Sequence, residues 1–169
     1  PITLYKAETV SLDVSDGTYD SGFSPAYDAD LTVTPLAAVS LTVSGITDPV
    51  AAGTPSNVTV TAQDQYGNTA TGYTGTVTFT SNDTQAVVPA NYTFLAGDNG
   101  VKTFTGGVTM KTSGERTVTA TDTVTGTITG TQSAITVTPL AADHFTVTSA
   151  TAVPVAGTPF NVTLTAMDQ

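Results

Sequence analysis

The sequence predicts an all-β chain built from two-sheet sandwich units repeated in tandem. Three observations carry this. Apolar residues alternate with Thr and Ser at a period of two, no helical period of useful length appears, and one stretch of the chain recurs at an offset of 104 residues.

The strands follow in order through one repeat. Val39, Leu41 and Val43 share one face of a first strand, and Val58, Val60 and Ala62 share one face of a second. Val77 and Phe79 mark a third, and Tyr92 and Phe94 a short fourth. Phe104, Val108 and Met110 fall on a fifth, which Gly106 and Gly107 are expected to bend or bulge. Val118 and Ala120 mark a sixth, Ile135 and Val137 a seventh. Thr suits the solvent face of such strands, and clusters of Gly, Asn, Asp and Pro separate them. Seven short strands in about 100 residues form the pattern of a seven-stranded immunoglobulin-like β-sandwich; a closed barrel is the competing all-β solution.

The repeat places the boundaries. The segment TVTPLAA at 32–38 recurs at 136–142, and residues 41–65 match 145–169 without a gap at 14 of 25 positions. A weaker match joins 2–16 to 108–122, after which the upstream loop is about four residues longer. Residues 1–37 are therefore expected to be the C-terminal part of a preceding repeat, 38–140 a complete repeat, and 141–169 the N-terminal part of the following one. The connector Thr-Pro-Leu-Ala-Ala contains a Pro and no flexible Gly or Ser tract, so it is expected to restrict bending between neighbours.

Composition excludes several classes of function. Asp and Glu number 14 against four Lys and Arg, a net charge of −10, so the clustered cations that neutralise phosphate are missing and nucleic acid is not an expected partner. Cys is absent, which rules out disulfides and thiolate metal sites. No run of about 18 apolar residues is present, so no membrane insertion is expected within this segment.

The stretch from Ala62 to Ser81, AQDQYGNTATGYTGTVTFTS, resembles the D-x-Y-G-N turn and V-T-F-T strand of bacterial immunoglobulin-like repeats of the invasin and intimin kind. Asp64, Tyr66, Gly67, Asn68 and the strand Thr76–Thr80 carry the resemblance; Thr69 stands where Pro is frequent in that family. The resemblance implies a surface adhesin, stalk or fibre with no catalytic residues to carry over. The turn also has its own physical logic, since Gly67 and Asn68 tolerate positive φ and an Asp64 carboxylate accepts backbone N–H groups.

Candidate chemistry is sparse. His144 is the sole histidine, and no nucleophile elbow accompanies it, so no triad can be assembled and the chain is not expected to be an enzyme. The candidate metal ligands are Asp13, Asp16, Asp20, Asp28 and Asp30, whose oxygens suit Ca²⁺. Asp98 with Asn99, and Asp64 with Asn68, are lesser candidates, while Asp48 and Asp143 lie near the repeat junctions. The competing reading is that Asp and Asn are ordinary hairpin-turn residues. Asn57, Asn82, Asn91 and Asn161 each open an N-x-Ser/Thr triplet, a frequent accident in a Thr-rich chain. Lys102 shares parity with Phe104; it either faces inward, where an isopeptide bond becomes conceivable, or snorkels outward.

The expected function is a structural, non-catalytic extracellular module: a spacer, stalk or fibre element of a bacterial surface protein or adhesin. Its expected partners are neighbouring repeats of the same chain. Two alternatives stand beside it. One is a module that binds carbohydrate or a host protein, for which Tyr66, Tyr73 and Tyr92 are the aromatic candidates. The other is a filament subunit that uses open sheet edges as strand acceptors.

Overall fold

The computed structural model describes residues 2–12, 18, 29–150 and 152–168. Among them the strands in chain order are β1 (Thr9–Leu12), β2 (Ala29–Thr32), β3 (Ser40–Ser44), β4 (Val50–Ala51), β5 (Pro55–Gln63) and β6 (Thr76–Ser81). There follow β7 (Tyr92–Thr93), β8 (Val101–Thr109), β9 (Gly114–Asp122), β10 (Thr129–Thr138), β11 (His144–Ser149) and β12 (Val162–Met167). Among the described residues the structure is all-β apart from a short 3-10 turn at Ala96–Asp98.

Strands β3, β5 and β8 form one sheet, and β4, β10, β9, β6 and β7 a second. Alternation along the strands explains why the two sheets share a core. Val58, Val60 and Ala62 of β5 are buried, as are Val77 and Phe79 of β6, Val118 and Ala120 of β9, and Ile135 and Val137 of β10. All of these belong to one apolar cluster that also takes in Leu41, Val43, Phe94, Val108 and Met110. Burying each of the Val, Leu, Ile, Phe and Met side chains among them stabilises the fold by about 1.5–3 kcal/mol relative to exposure.

Three details differ from the expected strand plan or add to it. Val39 is 51% exposed and precedes β3, so the first strand begins one residue later than its parity implied. Between Leu41 and Val137 there are eight strands, not seven, because Val50–Ala51 pairs parallel with Val137–Thr138. Two residues paired in parallel leave too short a signature for alternation to register. The expected distortion at the glycine pair is present: register shifts between Ser56 and Val58 opposite β8, Gly106 adopts φ +60°, and its N–H donates to Asn57 Oδ1 at 2.9 Å.

The sheets approach closely at one edge. A Cβ on Gly130 would lie 1.9 Å from the Leu41 carbonyl oxygen, so only glycine fits there. Nearby, the Gln132 amide accepts from Ile46 N at 3.1 Å and donates to Ile46 O at 3.0 Å, pairing the chain beyond β3 with β10 through a side chain.

Outward positions are dominated by paired threonines. Thr119 bonds Thr131 at 2.8 Å, Thr121 bonds Thr129 at 2.9 Å, Thr76 bonds Thr93 at 2.8 Å and Thr59 bonds Thr103 at 2.9 Å, all hydroxyl to hydroxyl across neighbouring strands.

Two hairpins flank these sheets. In β11–β12 the pairs run from His144↔Met167 to Thr148↔Thr163, which is the Ser40↔Gln63 to Ser44↔Thr59 register of β3–β5 displaced by 104 at both partners. In β1–β2, Thr9↔Thr32 and Val10↔Leu31 correspond to Glu115↔Thr136 and Arg116↔Ile135 of β9–β10.

Candidate interface at the Asp64 turn

The turn that follows β5 is organised by one carboxylate. Asp64 Oδ1 accepts from Tyr66 N and Asn68 N, each at 2.9 Å, and Oδ2 accepts from Asn68 Nδ2 at 3.0 Å. Gly67 takes φ +81°, the left-handed conformation this turn requires. A fourth donor comes from far along the chain: Leu36 N, in the connector, reaches Asp64 Oδ2 at 3.0 Å. Asp64 is only 3% exposed; burial pushes its pKa up, but the bonds from Asn68, Leu36 and Tyr66 outweigh it and hold the carboxyl at about 2.

Asn68 extends the turn to the upstream segment. Its Nδ2 donates to Tyr5 O at 2.8 Å, and its Oδ1 accepts from Ala7 N at 2.9 Å. The amide orientation follows from its partners, since the reversed group would turn its oxygen toward the acceptors Tyr5 O and Asp64 Oδ2. Tyr66 meets Tyr5 edge to face, centroids 4.8 Å apart. Leu140 N likewise donates to Asp168 Oδ2 at 2.9 Å, the Leu36–Asp64 bond displaced by 104 residues.

Two further buried carboxylates hold loops together. Asp83 accepts from Lys111 N at 2.7 Å, Thr112 N at 2.9 Å, Thr112 Oγ1 at 2.7 Å and Gln85 N at 3.0 Å. Burial raises its pKa, and these donors bring it back down to about 2. Asp122 accepts from the Tyr73 hydroxyl at 2.5 Å and from Val124 N and Thr125 N at 2.8 Å. Burial and the bonded carboxylate push Tyr73 upward, and Asp122 is lowered on balance despite its burial. Neither Asp83 nor Asp122 was singled out by sequence, where a structural Asp reads like any other turn residue.

Among the described residues, the remaining candidates stand at separate places. Asp13, Asp16, Asp20 and Asp28 lie outside the described residues, and Asp30 sits exposed on β2 opposite Ser11. Asp98 accepts from Leu95 N, the Tyr92 hydroxyl and Lys102 Nζ, and the Leu95 bond leads the lowering of its pKa. Lys102 Nζ lies 3.3 Å from Asp98 Oδ1 and 4.6 Å from the centroid of the Tyr92 ring, an ion pair and cation–π contact on a carboxylate rather than beside an Asn. Asp48 Oδ1 accepts from Thr136 N at 2.9 Å, while Asp143 stands 3.6 Å from His144. Asn82 Oδ1 accepts from Thr117 N at 2.9 Å. Tyr73 is buried and Tyr92 half-buried, so of the three candidate tyrosines only Tyr66 presents an open ring, and Tyr5 packs against it.

All the resolved shifts move groups away from neutrality: four aspartates down, Tyr73 and Lys102 up. None of these groups is tuned for proton transfer near pH 7. The four aspartates accept backbone N–H groups, Asp64 reaching as far as Leu36, while Tyr73 and Lys102 donate to two of those carboxylates. The class so defined is an all-β chain whose polar residues join parts of itself.

No protein-family model matches the chain, and no curated protein matches it. Among solved structures it is similar to the FdeC adhesin of Escherichia coli at 22% identity and a TM-score of 0.45, covering 95% of this chain and 51% of that one. The chain thus spans about half the length of that adhesin structure. No helix among the described residues is long and apolar enough to cross a membrane.

Proposed function

We propose that this chain is a stretch of a tandem array of immunoglobulin-like sandwich units, serving as a non-catalytic spacer, stalk or fibre element of a bacterial surface protein. The observation that carries this is the repeated pairing: β11–β12 has the register of β3–β5 and β1–β2 that of β9–β10. Each flanking hairpin is thereby the counterpart of one part of the central unit, and each connector is pinned by the same Leu–Asp bond. A unit of this kind adds roughly 30–40 Å of length, from strands of about nine residues at about 3.3 Å each.

Three of the four edge strands of the two central sheets support spacing over strand-by-strand polymerisation. Edge strands β4 and β7 are two residues long, and β8 carries Lys102 and the Gly106 bulge, devices that discourage edge pairing. Electron microscopy of the longer secreted parent chain tests the proposal. Isolated strings of evenly spaced beads are expected; helical or bundled polymers, or a compact particle, would overturn it.

A further inference from the structure

We infer that Asn68 is the positioning residue of a preformed joint that fixes the orientation of one unit on the next; the inference rests on the tandem-unit reading above. Asn68 offers one donor and one acceptor to an extended backbone, Tyr5 O and Ala7 N, as a strand neighbour would. It therefore reads main chain rather than side chains, and the upstream residues are free to vary in type. Its own rotamer is set from within the turn, because Asp64 accepts from both Asn68 N and Asn68 Nδ2. A side chain held in place before its partner arrives loses little freedom on docking.

The attachment is two-pronged. Asp64 fastens the connector at Leu36, and Asn68 fastens the segment ahead of β1 at Tyr5 and Ala7. One point of attachment leaves a swivel, whereas two points on separate stretches of chain oppose both bending and rotation. Tyr66 against Tyr5 closes the space beside them.

The receiving surface recurs in the central unit. Lys111 and Ser113 stand four and two residues ahead of Glu115, as Tyr5 and Ala7 stand ahead of Thr9, and the strand pairs at those two residues correspond. This second turn is held independently of any neighbour: Asp83 binds Lys111 N and Thr112 N, while Arg116 donates to Thr112 O at 2.9 Å and to Ser113 O at 2.5 Å. Lys111 O and Ser113 N are left without a partner among the described residues, the same carbonyl and amide that Asn68 takes from Tyr5 and Ala7. It is a docking surface for an Asn-bearing turn, located beside the Leu140–Asp168 bond that pins the second connector.

The absence of native cysteine makes site-specific spin labelling direct. In the whole chain, labels at Thr32→Cys on β2 and Thr131→Cys on β10 report the distance between the upstream hairpin and the central unit. A narrow single-peaked distribution is expected for the native joint. It should be lost in Asn68→Ala and, from the opposite side, in Ala7→Pro, which removes the amide donor outside the central unit. Thermal unfolding of the core should be unchanged in Ala7→Pro, which separates loss of the joint from loss of the fold. A broad distribution in the native chain, or a narrow one surviving in both variants, would defeat the inference. If parent-chain micrographs still show beaded strings, the spacer reading survives that failure; polymers or compact particles would remove the spacer reading itself.

Discussion

The Tyr73 hydroxyl donates to Asp122 Oδ2 at 2.5 Å, joining the loop before β6 to the end of β9 at the border of the core. Tyr73 also packs edge to face on Phe94, centroids 5.1 Å apart, so ring and hydroxyl are both engaged. Tyr73→Phe keeps the ring contact and removes a donor from a buried carboxylate that retains Val124 N and Thr125 N. We expect a loss of about 1–2 kcal/mol, read as a lowered urea midpoint with unchanged slope. An unchanged midpoint would show that the bond contributes nothing net.

Asp83 ties Gln85, Lys111 and Thr112 together with four bonds. Asp83→Asn keeps the shape but surrenders the charge and directs an amide at N–H donors. A destabilisation of about 1.5–3 kcal/mol is expected in chemical denaturation. Since the same bonds hold the turn at Lys111–Ser113, amide exchange should quicken at Lys111 and Thr112 before it does in β5.

Acid should act through the buried carboxylates. Asp64 and Asp83 are held at about 2 against an ordinary 3.8, and Asp122 is also lowered. A carboxyl with a folded pKa below its unfolded one contributes in full above the unfolded value, and that contribution fades as pH falls through the folded one. The melting temperature should stay level from neutrality to about pH 5 and drop between about pH 4 and pH 2. Scanning calorimetry across that window checks it, and a flat profile would contradict the assignment of these groups.

Core and hairpin positions of like type should respond differently. Ile135 is fully buried, so Ile135→Ala is expected to cost about 2–5 kcal/mol. Leu164 is 62% exposed, although it is the counterpart of fully buried Val60 at the 104-residue offset, and Leu164→Ala should change the main unfolding transition by no more than about 0.5 kcal/mol. Equilibrium unfolding of the two variants side by side measures the contrast.

The strands were legible because burial on one sheet face forces alternation, and Val58, Val60 and Ala62 show it plainly. Val39 continues the parity and its N–H still donates to Gln63 O at 2.8 Å, but burial stops with the core and leaves its side chain exposed. Asp64 could be singled out because its turn combines Gly67 and Asn68 at fixed offsets, a local signal. Its bond to Leu36 was not local, yet both residue types recur 104 positions on, at Leu140 and Asp168, where the same bond forms. Asp83 and Asp122 left no such trace. Their partners are backbone amides, which look alike at every residue type, so a buried network acceptor and a solvated loop Asp share one spelling. Tyr73 and Tyr92 were candidates for an open aromatic surface for the same reason: ring type is written in the sequence, but the direction it faces is set by packing on Phe94.

The threonine pairs carry a consequence for the medium in which this chain works. Hydroxyls that bond one another across β6, β7, β9 and β10 keep the broad faces wettable with little ionic charge. Dissolved salt acts on proteins by shielding charges from one another, and on these faces it finds few to shield. The sheet exteriors should meet dilute and concentrated brine alike, leaving any response to salinity to the acidic loops.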